Sequence, residues 1–349
     1  MSIHKSIRRA LLAGTVAALS VPAAMAGDIS GAGATFPYPI YSKWAADYKA
    51  ITQIGLNYQS IGSGGGIKQI KAKTVTFGAS DKPLEAKELD DNGLTQFPAI
   101  VGGVVPVVNL KDMKAGTIVL DGATLADIYL GKLKTWNDPE IVKLNPKLKM
   151  PSTAIAVVHR SDGSGTSFLF TNYLSQTNPE WKEKVGANTA VEWPVGLGQK
   201  GNEGVAGVVK ITDGAIGYVE YAYAKQNNMT YTLMVNKDGK TLEPKSETFK
   251  AAAANADWAH APAFYLILTN QPGAESWPIT GASFIIVYKK PDDAAALLEV
   301  LKFYDWSFKN GEKSADALDY VPLPANVVSL IEASWKTNIS SATGTPVWK

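Results

Sequence analysis

Short apolar runs separated by helical repeats constrain this chain most. Ile54, Leu56 and Tyr58 alternate with small or polar residues, the period-two pattern of a strand with one covered face. Residues 75–79, 100–108, 154–158, 215–219, 264–268 and 284–288 are short runs rich in Val, Ile and aromatic residues. Helical spacing lies between them. Ile40, Trp44 and Tyr48 recur every four residues, and Leu169/Tyr173 and Phe170/Leu174 are further pairs of that kind. Residues 292–309 and 324–336 also read as helices. Strands alternating with helices predict an α/β fold with mainly parallel sheets.

The N-terminus adds a second constraint. Lys5, Arg8 and Arg9 form a basic start, residues 10–21 an uncharged apolar run, and Ala24-Met25-Ala26 a small-residue cleavage pattern. Together they read as a secretory signal peptide cleaved after Ala26. The run is shorter than the ~20 residues of a membrane-spanning helix; an uncleaved anchor is the alternative. With no cysteine in the chain, disulfides and a lipid on a post-cleavage cysteine are excluded. The fold must therefore rest on its own core, and residues 27–349 suffice for two ordinary domains. Removing residues 1–26 takes three positive charges and no negative ones from 34 Lys+Arg against 32 Asp+Glu, leaving a net charge of −1. A nucleic-acid partner is not expected of such a balance.

Three Gly-rich turns each lead into a helical pattern: Gly31-Ala32-Gly33-Ala34-Thr35-Phe36-Pro37, Ile61-Gly62-Ser63-Gly64-Gly65-Gly66 and Arg160-Ser161-Asp162-Gly163-Ser164-Gly165-Thr166-Ser167. Pro37 suits a first helical turn, where a missing N–H costs nothing. The first N–H groups of a helix lack internal partners and carry the positive end of its dipole, so a small anion can satisfy both. Taken singly, each turn reads equally as an ordinary cap and turn. None has the Gly-Lys-Ser/Thr of a nucleotide P-loop. In open α/β sheets ligands bind beyond the carboxyl ends of strands, where all three turns are expected.

Asp81, in Gly78-Ala79-Ser80-Asp81, and Arg160 each follow a predicted strand. Arginine suits an oxyanion. An aspartate facing an anion is unfavourable, since like charges 4 Å apart repel by roughly 4 kcal/mol at an effective dielectric near 20. It becomes favourable if the anion brings a proton, as phosphate does at neutral pH and sulfate does not. Arg160 is expected to neutralise Asp81 and hold it ionised; a surface salt bridge between the two loops is the alternative. Other chemistry is thin. His159 and His260 have no neighbouring Cys or carboxylate cluster, so no metal or cofactor is expected. Ser164 lacks the first glycine of a nucleophile elbow. Residues 198–207 form a further Gly-rich helix entry, with Asn202 expected as its cap and a structural role.

The first and third turns, together with Gly78-Ala79-Ser80-Asp81 and Gly214-Ala215-Ile216-Gly217-Tyr218, resemble the periplasmic phosphate-binding proteins of high-affinity phosphate ABC transporters. Leu130-Gly131-Lys132 with Trp136 and Trp335-Lys336-Thr337-Asn338 agree, and the resemblance spans essentially the whole chain. It implies an α/β, two-lobed periplasmic-binding-protein-like fold with a ligand cleft between the lobes. Residues 27–102 and 283–349 would form lobe I and residues 103–282 lobe II, hinged near residues 100–105 and 279–286. The site would comprise Ala34 (backbone), Thr35, Phe36, Ser63, Asp81 as acceptor of the phosphate proton, Arg160, Ser164, Gly165 and Thr166. Gly64 stands where that family pattern has a second serine. The implied function is non-enzymatic capture of inorganic phosphate in the periplasm by a monomer that delivers it to a membrane permease. A secreted phosphatase or phosphoryl-transfer enzyme using the same anion cradle is the alternative.

Overall fold

A computed structural model describes residues 27–349; the signal-peptide reading concerns residues outside that range. The first segment alternates strand and helix: β1 (Ile29–Gly33), α1 (Tyr38–Thr52), β2 (Leu56–Ser60), α2 (Ser63–Lys71), β3 (Phe77–Ser80), α3 (Ala86–Asp91) and β4 (Leu94–Val108). The middle segment continues with β5 (Val119–Leu120), α4 (Gly122–Tyr129), α5 (Pro139–Leu144), β6 (Ala156–Arg160), α6 (Gly165–Thr177), α7 (Pro179–Lys184), β7 (Leu197–Gln199), α8 (Gly201–Ile211), β8 (Ala215–Glu220), α9 (Tyr221–Gln226), β9 (Thr230–Tyr231), β10 (Leu233–Val235), β11 (Thr241–Leu242) and α10 (Ser246–Ala253). The chain returns through β12 (Thr280–Tyr288), α11 (Ala294–Asn310), α12 (Glu312–Ala317) and α13 (Ala325–Asn338).

The main sheet runs β2-β1-β3-β12-β4-β8-β6-β7, with β9 also on β4. Pairing is parallel at its two ends, β1 with β2 and β3, and β6 with β7 and β8. In the middle it is antiparallel, because β4 and β12 run back between the two halves. The sheet is therefore mixed, not mainly parallel. β4 changes partner partway: Leu94–Gly103 pairs with β12 and Val104–Val108 with β8.

All 15 residues of β4 are buried. A strand covered on both faces has no need to alternate, so it reads as a continuous apolar run. Residues 100–108 show this; Thr95 and Gln96 conceal the strand's first half. Gln96 is buried because its amide accepts from Leu84 N (2.9 Å) and donates to the carbonyls of Leu84 (2.9 Å) and Ala263 (3.0 Å). Conversely, residues 264–268 form no strand. Pro262–Phe264 is a 3-10 turn, with Ala263 and Phe264 at φ of 51° and 56°. Phe264 and Leu268 supply packing instead of ladder hydrogen bonds.

The helix readings hold. Ile40, Trp44 and Tyr48 line the buried face of α1. Pro37 precedes the helix as its N-cap, with Pro39 in the first turn. An aromatic core joins the two ends of the chain: Phe97 packs against Trp335 (centroids 5.0 Å apart) and Tyr304 (5.8 Å), and Tyr304 meets Phe77 and Tyr41. Helices α1, α2, α6 and α8 each follow the carboxyl end of a strand, β1, β2, β6 and β7 respectively.

Candidate anion-binding site

The three turns meet. Gly64 N–H donates to Gly163 O (2.8 Å), and the two loops are so close that a Cβ on Gly64 would lie 3.1 Å from Gly163 Cα. The absent second serine at this position is thus replaced by a backbone-to-backbone contact. Gly62, at φ 85°, has no room for a side chain either, because a Cβ would fall 2.3 Å from Asp162 Oδ2. Thr35, Ser63, Asp81, Arg160, Ser164 and Thr166 are each at most 2 % exposed, and hydrogen bonds connect Ser63 to Asp81 and Gly165, and Thr35 through Asn202 to Thr166.

The hydroxyls there share a feature that decides their chemistry. Ser63 Oγ accepts from the N–H groups of Asp81 (3.2 Å) and Gly165 (3.0 Å). Thr35 Oγ1 accepts from Asn202 N (3.2 Å) and Nδ2 (2.7 Å). Thr166 Oγ1 accepts from Asn202 Nδ2 (3.1 Å) and faces Arg160 NH1 at 3.5 Å. Ser164 Oγ caps α6 by accepting from Ser167 N (3.0 Å). A hydroxyl has two lone pairs and one proton. Ser63, Thr35 and Thr166 have both lone pairs engaged and can only donate to a further partner, while Ser164 keeps one lone pair beside its proton.

Arg160 and Asp81 complete the electrostatics. The Arg160 fork holds Asp162 through Nε (2.7 Å) and NH2 (2.5 Å). That spends two of its five N–H donors. Burial opposes ionisation of Asp162, but Arg160 and the Gly201 N–H outweigh it and hold the carboxyl below its usual range. Asp81 differs. Both its oxygens are buried without a hydrogen-bond partner, and burial raises its carboxyl to about 7. Ser283 and Arg160 draw it down only in part; the Ser283 hydroxyl has no well-formed hydrogen bond of its own. Arg160 therefore favours ionised Asp81 only in part. Arg160 is paired to Asp162, and desolvation wins at Asp81.

Two further expectations change. Ala34 has no free backbone group: its N–H bonds to Ala79 O (3.0 Å) and its C=O accepts from Tyr58 OH (2.7 Å). Gly165 N–H is engaged by Ser63, so Gly165 contributes by close approach. A Cβ there would lie 2.4 Å from Ser63 Oγ and 2.5 Å from Asp81 Oδ2. Gly165→Ala is accordingly expected to weaken ligand affinity by at least ~100-fold, the cost of forcing several atoms apart in a packed site. Calorimetric titration checks this; unchanged affinity would show that the approach is dispensable. Phe36 stays a donor candidate through its N–H, as its C=O accepts from Tyr320 OH (2.6 Å).

Sequence reasoning missed several participants. Asn202 is no helix cap, since Lys200 holds that position. It is fully buried and ties Thr35 to Thr166, so the 198–207 turn does reach the site. Asp162 could have been found from its place two residues beyond Arg160. Tyr223 OH, on Thr35 O (2.7 Å), and Tyr218 OH, accepting from Arg160 N (3.1 Å), carry no local signal.

Known proteins share this fold. Residues 20–309 match the PBP superfamily domain. The chain is 52% identical over 342 residues to the phosphate-binding protein PstS of Pasteurella multocida, covering 98% of this chain and 99% of that one. It is 56% identical over 307 residues to PstS of Xylella fastidiosa strain 9a5c, covering 88% and 84%. Among solved structures it is similar to the phosphate-bound periplasmic protein PfluDING, at a TM-score of 0.73 and 21% identity over 92% of this chain and 97% of that one. A putative phosphate ABC transporter substrate-binding protein from Clostridium perfringens aligns at a TM-score of 0.61 and 17% identity, covering 85% and 100%. The chain belongs to the PBP superfamily and, within it, to the family of the PstS phosphate-binding proteins.

Proposed function

We propose that this protein captures inorganic phosphate outside the cytoplasmic membrane and hands it to the membrane permease of a phosphate ABC transporter. The observation behind this is the polarity of the site. Its hydroxyls are left with protons to give, Arg160 has spare N–H donors, and Asp81 is a buried acceptor without a donor. A tetrahedral oxyanion carrying a proton matches that set; one without a proton leaves Asp81 unmatched. The binding residues are Thr35, Phe36, Ser63, Asp81, Arg160, Ser164 and Thr166, with Gly165 fixing the approach and Ala34 a part of the loop backbone. The family is one of binding proteins, and the phosphatase reading has no observation in its favour.

Lobe I would use residues 27–102 and 283–349 and lobe II residues 103–282, with β4 and β12 as the hinge strands. Contacts from the first segment to the middle one, such as Gly64 to Gly163 and Thr35 to Asn202, would belong to the closed form. Ligand shifts such an equilibrium by binding the closed form better. Placement in the periplasm fits the N-terminal pattern, with cleavage after Ala26. Calorimetry on exported, phosphate-stripped protein, whose intact mass reports the cleavage point, should give one-to-one phosphate binding with little sulfate competition at neutral pH. No heat with phosphate, or equal affinity for sulfate, would overturn the reading.

A further inference from the structure

Behind the first turn lies a buried carboxyl with no anion to meet. Glu220, the last residue of β8, is fully buried. Its Oε2 accepts from Ala222 N (2.9 Å) and lies 2.8 Å from Tyr320 OH, while Oε1 has no partner. Tyr320 OH also lies 2.6 Å from Phe36 O. A phenol has one proton, and a peptide carbonyl only accepts. If Tyr320 gave its proton to a Glu220 carboxylate, the Tyr320 and Phe36 oxygens would face each other at 2.6 Å without one. If it gives the proton to Phe36, the short contact to Glu220 needs a proton from Glu220. Both contacts are satisfied together when Glu220 is a neutral acid that donates to Tyr320 and accepts from Ala222 N–H.

We propose that Glu220 is a neutral positioning residue that, through Tyr320, holds the Phe36 peptide for the anion. Burial outweighs the opposing hydrogen bonds from Tyr320 and the Ala222 and Tyr221 N–H groups and, with a smaller push from Asp81, keeps Glu220 well above the usual carboxylate range. A charge there would leave Oε1 uncompensated, which is far costlier than leaving a neutral oxygen so. The surrounding titratable groups are Tyr320 and Tyr223, with Asp81 across the site and Arg160 acting on Tyr223. The effect on the ligand loop follows from backbone geometry. Tyr223 OH holds Thr35 O and Tyr320 OH holds Phe36 O. The Thr35–Phe36 peptide is trans, so its N–H points away from its carbonyl. Fixing the carbonyl on each side of the Phe36 N–H fixes that donor's direction. Sequence separates the three partners: Phe36 lies just before the N-cap of α1, Glu220 ends β8, and Tyr320 adjoins the Val101–Val321 bridge.

This role rests on the phosphate reading, and two measurements separate their fates. Infrared spectroscopy of ligand-free Asp81→Asn protein at neutral pH, in which Asp81 no longer contributes, should show a protonated-carboxyl band that disappears when Glu220→Gln is added. No such band overturns the proposal, whatever the ligand; the band with no phosphate binding in the wild type would leave neutral Glu220 standing and defeat the phosphate reading. Calorimetry with inorganic phosphate tests positioning. Tyr320→Phe and Glu220→Leu should each raise Kd roughly fivefold, the scale of one net hydrogen bond. The double variant should be no worse than either, because both cut one chain. Glu220→Gln, which keeps a donor toward Tyr320, should recover most of the loss. Additive losses, unchanged Kd, or Gln behaving as Leu overturn the role; a purely structural glutamate would lower thermal stability without this pattern.

Discussion

Asp81→Asn is expected to bring the affinities for phosphate and sulfate close to parity. A site built around a buried hydrogen bond rejects the analogue lacking it by about 10⁴–10⁵. Asp81 provides such an acceptor, buried and otherwise unpartnered. An asparagine amide turns either its oxygen or its N–H₂ toward the ligand, so both anions find a partner. The position of the Asp81 carboxyl at about 7 adds a pH dependence. Below that pH Asp81 gains its own proton and can donate to sulfate, so discrimination in the wild type should narrow as pH falls. Competition calorimetry from pH 5 to pH 8 reads both effects, and a ratio unchanged by the substitution would remove Asp81 as the selecting group. Stability moves too. The folded carboxyl is raised from 3.8 to about 7, so the folded protein binds the proton more tightly than the unfolded chain. That advantage is full below about pH 4 and fades as pH rises to about 7, amounting to roughly 4 kcal/mol at the shift shown. Asp81→Asn should therefore flatten the stability of ligand-free protein across this window, and near neutrality the variant should melt higher than the wild type.

Arg160→Met is expected to have the other large effect, on both stability and binding. Arg160 is 2 % exposed and grips Asp162 at both carboxylate oxygens. Removing one member of a buried pair typically costs 3–5 kcal/mol, because the remaining charge keeps its desolvation penalty, so a loss of about 3 kcal/mol is expected here. Asp162 would then face the site as an unneutralised anion beside Asp81, adding repulsion to the loss of a charge-assisted contact. Phosphate affinity should fall by at least ~10³-fold. Arg160→Met/Asp162→Leu should regain much of the stability, because no charge is stranded, but little of the binding. Thermal melts together with calorimetry separate the two. Equal recovery of both would mean that Arg160 acts only through its ion pair and does not meet the ligand.

These side chains differ in how plainly the sequence announced them. Ser63, Ser164 and Thr166 stand in Gly-rich turns at strand-to-helix junctions, where local chemistry already favours donors. Asp81 follows β3 and Arg160 ends β6, at carboxyl ends of strands where a ligand in an α/β sheet is expected. The alternation of strands and helices showed the fold class, but not the antiparallel return of β4 and β12, since direction in a sheet depends on which distant strands pair. The run at 264–268 shows the converse: apolar residues report burial and not ladder formation. Asn202, Glu220 and Tyr320 were hidden for a different reason. Their partners are 167, 100 and 284 residues away for the pairs Asn202–Thr35, Glu220–Tyr320 and Tyr320–Phe36. The protonation of Glu220 becomes legible only once both oxygens contacting the Tyr320 hydroxyl are located.

The place of β12 has a consequence for how the molecule is made. This strand lies between β3 and β4, although some 170 to 200 residues of chain separate it from them. Synthesis delivers β1 to β4 early, yet their sheet stays split until Thr280–Tyr288 emerges, and their aromatic core lacks Tyr304 and Trp335 until later still. Contacts of such long range close slowly, because the loop entropy is lost before the packing is gained. A growing chain thus cannot bury this half of itself ahead of its own C-terminus. Under the export proposed above, in which the chain threads a membrane before it folds, the topology itself would postpone the compact state.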